Sequence, residues 1–204
     1  MQRFAQILSN IFQPLLFPTY GMILLFQVGS FVYADFMEYK LPTVLSVFLL
    51  TAVVPLVVIL FLKKMGLVSS IQLANRKERT IPYVFTIFSY AAAIIFLYRI
   101  GMPFYVVSMM TGVVFSTILI MLINLKWKVS AHLSAIGGLC AAIIVVSYHL
   151  YITPLLLLSV AFVLAGLLAS ARIILKMHTP MQTLVGFCIG FTVVYLFGQL
   201  FINV

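Results

Sequence analysis

Acidic side chains are nearly absent from this chain: three Asp and Glu stand against twelve Lys and Arg in 204 residues. Charged residues of both signs reach only 7%, against roughly 25% in soluble domains, which excludes an ordinary water-soluble fold. So few carboxylates also argue against a paired-carboxylate catalyst. Asp35 and Glu38 share one short connector, and Glu78 lies in another. Cysteine is scarce as well. Cys140 and Cys188 sit inside apolar runs, with neither metal nor redox spacing, and read as small packing residues. No stretch is polar enough for a linker or tail, so residues 1–204 read as one integral membrane domain. Short alternating strands are missing too, which excludes a β-barrel.

What is present is apolar sequence. Hydrophobic residues make up 65% of the chain and the mean hydropathy is +1.26. Seven apolar segments stand near residues 14–34, 43–62, 81–98, 103–124, 132–151, 154–175 and 181–203. A segment of ~20 residues at 1.5 Å rise covers a ~30 Å hydrocarbon core. The expected fold is therefore all-α, a polytopic transmembrane helical bundle of about seven (six to seven) spans. Met1, Gln2 and Arg3 resemble a weak signal-peptide start, but no cleavage site follows and the first apolar stretch is long enough to remain a span. Residues 1–12 are expected in the interface ahead of Pro14. Pro42, Pro82, Pro103, Pro154 and Pro180 fall at segment starts. Pro55 is interior and predicts a kink whose freed carbonyl a neighbour must satisfy. Gly137, Gly138, Gly166, Gly186 and Gly190 mark places where helices approach closely.

The net charge of +9 would suggest nucleic acid in a soluble protein. In a membrane chain it points to cytoplasmic loops and an anionic ligand, with no nucleic-acid partner. Ten Lys and Arg fall on the side holding the N-terminus and the 63–80, 125–131 and 172–180 connectors; only Lys40 and Arg99 fall on the other. Setting aside Arg76, Lys77, Arg79, Lys128 and Arg172 as site candidates leaves five against two. The basic side is accordingly expected in the cytoplasm, with the chain in the cell (inner) membrane. Lys63, Lys64, Lys126 and Lys176 read as topology determinants and Trp127 as an interface anchor.

Three polar clusters interrupt the apolar text at residues 72–80, 128–132 and 171–182, all on the basic side. Two helices separate each from the next, and an even number of crossings returns the chain to the same face. The clusters can therefore meet. Their meeting would set Arg forks, matched to phosphate oxygens, beside two histidines able to act as nucleophile or general acid. Lipid phosphate is the anion most available at that depth. His149, between Tyr148 and Tyr151 at the far interface, reads as structural.

Residues 172–190 resemble the third motif of the type 2 phosphatidic acid phosphatase family, which is related to vanadium haloperoxidases. That motif runs S-R-x-x-x-x-x-H-x-x-x-D, often with a Pro two residues after the His and small residues further on. Arg172, His178, Pro180, Gly186 and Gly190 fall in register. Ser130, Ala131 and His132 resemble the second motif, P-S-G-H, and Arg79 the arginine of the first, K-x-x-x-x-x-x-R-P. The resemblance covers residues 72–190, a lipid-phosphatase-like core. It implies that His178 is the nucleophile, forming a phosphohistidine, and that His132 protonates the leaving lipid oxygen. Arg79 and Arg172 would clamp the phosphoryl oxygens, and backbone N–H groups of Ser130 and Ala131 would add donors. It implies no cofactor and no metal. The substrate would be a membrane lipid carrying a phosphate monoester or diphosphate: phosphatidate, phosphatidylglycerol phosphate or a polyprenyl diphosphate.

The chain departs from the pattern at several positions. Val129 and Ala131 replace the Pro and Gly of the second motif, and Ala171 the Ser of the third. Gln72 and Thr80 replace the Lys and Pro of the first, which makes Arg76 and Lys77 candidate substitutes for that lysine. Gln182 occupies the position of the aspartate that orients the nucleophilic His. Thr179, Pro180 and Gln182 equally fit a capped helix start. A non-catalytic relative that keeps the arginines for phospholipid binding or transport is the alternative. A transporter or assembly subunit whose basic face only sets topology is another.

Overall fold

The structure is a computed structural model that describes residues 1–28 and 38–200. Asp35, and the ends of the first and last apolar segments, fall outside the described residues. Among the described residues every regular element is a helix: α1 (Gln2–Ile11), α2 (Phe17–Val28), α3 (Lys40–Phe48), α4 (Val54–Lys64), α5 (Thr80–Arg99), α6 (Phe104–Asn124), α7 (Ala131–Leu150), α8 (Leu155–Ile174) and α9 (Pro180–Gln199). Joined through short 3₁₀ and π segments, they give seven helices long and apolar enough to cross a membrane. This is the expected seven-span helical bundle.

The first span is broken where the sequence turns polar. Gln13 is extended, Pro14–Leu16 forms a 3₁₀ turn, and α1 departs from α2 to pack against α8. Ala5 and Ser9 face inward on α1, while Phe4, Ile7 and Ile11 are exposed. One face of α1 is thus anchored in the protein and the other is free to meet the interface.

The second span departs from a regular α-helix next to its interior proline. Leu49–Val53 is wound as a π-helix, and Pro55 follows in the first turn of α4. In that wider register the N–H of residue 55 would serve the Leu50 carbonyl. Proline has none, and the Ser89 hydroxyl on α5 donates to Leu50 instead. The freed carbonyl is satisfied across the bundle.

The closest packing in the bundle joins α9 to α7 and, on its other side, to α6. Lipid tails are as apolar as leucine, so burial alone does not bring these helices together; close backbone approach and van der Waals contact do. A Cβ on Gly186 would stand 2.5 Å from the Ser130 carbonyl oxygen, and one on Gly190 only 1.9 Å from that of Ser134. No larger residue fits at this seam. Large apolar side chains such as Phe88, Leu156 and Val163 point outward instead, as a lipid-facing surface requires.

Candidate functional site

Each polar cluster is held by local backbone chemistry at the basic end. In the first, Asn75 caps the 3₁₀ turn Arg76–Arg79, its side chain accepting from the Lys77 N–H. The turn carries Arg79 inward, where it is 5% exposed. Its Nε donates to the Leu73 carbonyl (2.8 Å) and Nη1 to the Val129 carbonyl (3.3 Å), fixing the guanidinium against the second cluster. Arg76 is spent differently: its Nη1 donates to the Asn124 carbonyl (3.1 Å), and Lys77 is exposed. Neither lines the cavity described below; Gln72 does.

The third cluster is set by a helix stop followed at once by a helix start. α8 ends as Lys176 turns left-handed (φ 54°), and the N–H groups of Met177 and His178 return to the Arg172 carbonyl (3.1 and 3.3 Å). The six-residue step from arginine to histidine is thereby closed into one turn. α9 then begins with a capping box: Thr179 Oγ1 accepts from the Gln182 N–H (3.4 Å) and Gln182 Oε1 from the Thr179 N–H (3.2 Å).

The same Gln182 Oε1 lies 3.2 Å from His178 Nδ1. Because it already receives a backbone N–H, this atom is an oxygen, so Nδ1 carries the imidazole proton and Nε2 keeps its lone pair. Capping and histidine orientation are one arrangement here, not rivals. His178 is buried, and its pKa is pushed down to about 3, first by burial and then by Arg79, Arg172 and Lys128, with the Gln182 bond opposing. The imidazole is neutral at physiological pH.

The second cluster starts α7. Ser130 caps it through its hydroxyl, which accepts from the Leu133 N–H, while the Ser130 N–H donates to the Gln182 carbonyl (3.2 Å). The backbone donor expected from Ser130 is therefore already bonded within the protein. His132 Nε2 lies 3.2 Å from the Ser9 carbonyl of α1, which places its proton on Nε2 and directs it at that helix.

A cavity of about 200 Å³ opens where the clusters meet, walled by Arg79, Ala131, His132, Arg172 and His178. Arg172 is 5% exposed, and its buried Nε has no hydrogen-bond partner. An unpaired buried guanidinium N–H is costly. Lys128, half-buried beside Arg79 and Arg172, has its pKa lowered by burial and by those two cations. No described carboxylate answers them. Glu78 accepts from the Ser69 N–H, the Ser69 hydroxyl and the Asn75 side chain, and Glu38 precedes α3 at the opposite end. Chemically, the arrangement is a cage of fixed cations with a neutral, correctly tautomerised imidazole, suited to an oxyanion.

Arg79, Arg172, Ala131, His132 and His178 are brought together and Gln182 stands behind His178, whereas Arg76 and Lys77 are not at the cavity. Lys128, a candidate by its place at the head of the second cluster, stands beside Arg79 and Arg172. One contribution is not among the residues singled out from the sequence. The α1 side chains Gln6 and Asn10, hydrogen-bonded to one another (3.1 Å), line the cavity with Gln13. Their helical spacing is visible in the sequence, but nothing there indicates that α1 packs against α8 and brings Ser9 to His132. Among the described residues no three His, Cys, Asp or Glu side chains gather closely enough to hold a metal ion. Comparison of the chain with family models, with curated proteins and with solved structures returned no match.

Proposed function

We propose that this protein is a membrane-embedded phosphatase or phosphotransferase that takes the phosphate group of a lipid monoester or diphosphate at the Arg79–Arg172 cavity. The observation that carries the reading is the buried, unpartnered Nε of Arg172, a residue of the cavity wall with Arg79, near Lys128 and with no described acid beside them. A phosphate would give that donor its partner and neutralise the cage. The resemblance of residues 79, 130–132 and 172–190 to the type 2 phosphatidic acid phosphatase motifs supports the same chemistry.

In this reading His178 Nε2 attacks phosphorus as the P–O bond to the lipid breaks, and a protonated His132 gives its proton to the leaving oxygen. Water then attacks the phosphohistidine, His132 recovers a proton from that water, and the P–N bond breaks to release phosphate. Lipid phosphate and water become lipid alcohol and phosphate. Arg79 and Arg172 stabilise the equatorial charge in both steps. Gln182 holds the Nδ1–H throughout but supplies no negative charge. With Nε2–H held by the Ser9 carbonyl, the proton that a protonated His132 gives up is the one on Nδ1.

A second reading, a lipid-phosphate binder or carrier without turnover, draws support from Gln182 in place of an acid and from the His132–Ser9 bond. One experiment separates the two: phosphate release from a panel of lipid phosphates by wild type, His178→Ala and Gln182→Asp, with vanadate as competitor. Release abolished by His178→Ala supports catalysis. Vanadate-sensitive binding without release, unimproved by Gln182→Asp, supports the binder.

The basic end is proposed to face the cytoplasm of a bacterial-type inner membrane, on the strength of the ten-to-two loop charge. Impermeant thiol labelling of cysteines placed at Lys64 and Lys126 tests this, and labelling from outside intact cells would reverse it.

A further inference from the structure

The anion cavity does not close off inside the bundle. A second cavity of about 120 Å³ lies deeper, and Pro14, Val113, Ser116, Ser134 and Ala135 face both. None of these shared wall residues is bulkier than a valine or a proline. The deeper one follows a single stripe of α7, formed by positions 134, 135, 138, 139, 142, 143, 146 and 147. At 1.5 Å per residue the stripe is ~20 Å long, whereas one leaflet of hydrocarbon is ~15 Å deep, half of a ~30 Å core. The facing wall is α2, from Gly21 to Val28. Among the described residues that line the cavity the polar side chains are Ser116, Ser134 and Ser147, and Ser116 and Ser147 donate to the Val113 and Ile143 carbonyls of their own helices. The walls therefore present apolar surface throughout.

We infer that this corridor between α2 and α7 is the binding site for one extended apolar tail of the lipid whose phosphate occupies the Arg79–Arg172 cavity. The inference rests on the phosphate reading and adds the substrate class: a lipid phosphate with a chain long enough to pass the bilayer midplane. Moving a tail from lipid into protein gains little by apolar transfer, since both surroundings are hydrocarbon. Selection comes from fit along the corridor, hence from chain length and width. α2, which forms the facing wall, lies outside the stretch 72–190 that carries the phosphatase-like motifs.

The test uses full-length protein in phosphatidylcholine vesicles and a single-chain alkyl phosphate with a photoreactive diazirine at the tail end. A twin probe carries a hydroxyl in place of the phosphate. Label from the phosphate probe is expected on the far half of α2, Leu24–Val28, and on α7 near Ala142–Ser147. Gly21→Phe should lower it severalfold, because a ring in the corridor takes the place of the van der Waals contacts that select the tail. A Cβ at Gly21 would meet only Leu139 Cδ1 at 3.8 Å, so the ring enters the corridor without displacing backbone. The wild-type label map decides the matter even where Gly21→Phe does not fold. Label confined to outward-facing side chains such as Phe88, Leu156 and Val163 overturns the corridor. Equal corridor labelling by the two probes leaves the corridor standing as a tail site and removes the phosphate reading beneath it.

Discussion

Two helix junctions each deliver a histidine to the same cavity, and they do so in opposite states. At α8–α9 the histidine is locked: its backbone N–H is tied to Arg172 and its Nδ1–H to Gln182. At α6–α7 the junction is just as well built, through the Ser130 cap and its bond to Gln182, yet its histidine gives its proton to Ser9 on a helix outside the junction. Both imidazoles are thus oriented by a carbonyl-type oxygen, the nucleophile candidate through Nδ1 from its own helix start and the acid candidate through Nε2 from α1.

The largest perturbation would break both junctions together. Gly190→Leu places a Cβ onto the Ser134 carbonyl, where backbone rather than a flexible side chain must give way. It is expected to abolish phosphate binding and folded yield, measured by size-exclusion profile and vanadate protection. A normal profile with intact binding would show that α7 and α9 are not in register as described. Next comes Arg172→Ala, which removes the unpaired donor but leaves the backbone turn. Loss of about 2–4 kcal/mol, or some 30- to 1000-fold in lipid phosphate affinity, is expected. Arg172→Lys should recover only part, because an ammonium lacks the fork.

Gln182→Asp sharpens the comparison from the chemical side. In serine proteases the orienting Asp is worth about 10⁴ in rate over its amide. Phosphate release is expected to rise by at least ~10-fold, and the His178 pKa to climb, since a carboxylate favours the imidazolium. An unchanged rate with a raised pKa would separate orientation from charge. In the wild type His178 titrates at about 3, below its unfolded value near 6.5. The unfolded chain therefore binds the extra proton between those values, and this residue's contribution to stability falls as pH drops from about 6.5 towards 3. Nitrogen-15 imidazole shifts should report a neutral ring at pH 5, and a bound phosphate should move its protonation upward. Smallest is Thr179→Ala, expected to cost ~1 kcal/mol through the lost cap while leaving Gln182 on His178. A larger loss of binding than of stability would mean the cap also positions the ligand.

The spans were legible in the sequence because a bilayer imposes a length, and seven runs of that length can be counted by eye. Convergence of Arg79, His132 and His178 was legible for a similar reason, since an even number of crossings fixes which end a residue occupies. The fate of individual donors was not. That Ser130 gives its N–H to Gln182, that Arg76 is drawn off to Asn124, and that Lys128 joins the cage all depend on how closely particular backbones approach. The path of α1 escaped for another reason: an amphipathic helix of ten residues can lie on a membrane or on a protein, and its polarity pattern is the same in both. The π segment before Pro55 was foreseen only as a kink, because the sequence marks the missing N–H but not the hydroxyl of Ser89 that replaces it.

The seam at Gly186 and Gly190 has a thermal consequence. With carbonyl oxygens resting directly on glycine backbone, no layer of side chains exists there to loosen before the helices themselves part. Heating should leave the cage intact until the bundle gives way, so inactivation and melting should trace one curve, without an earlier softening of the site.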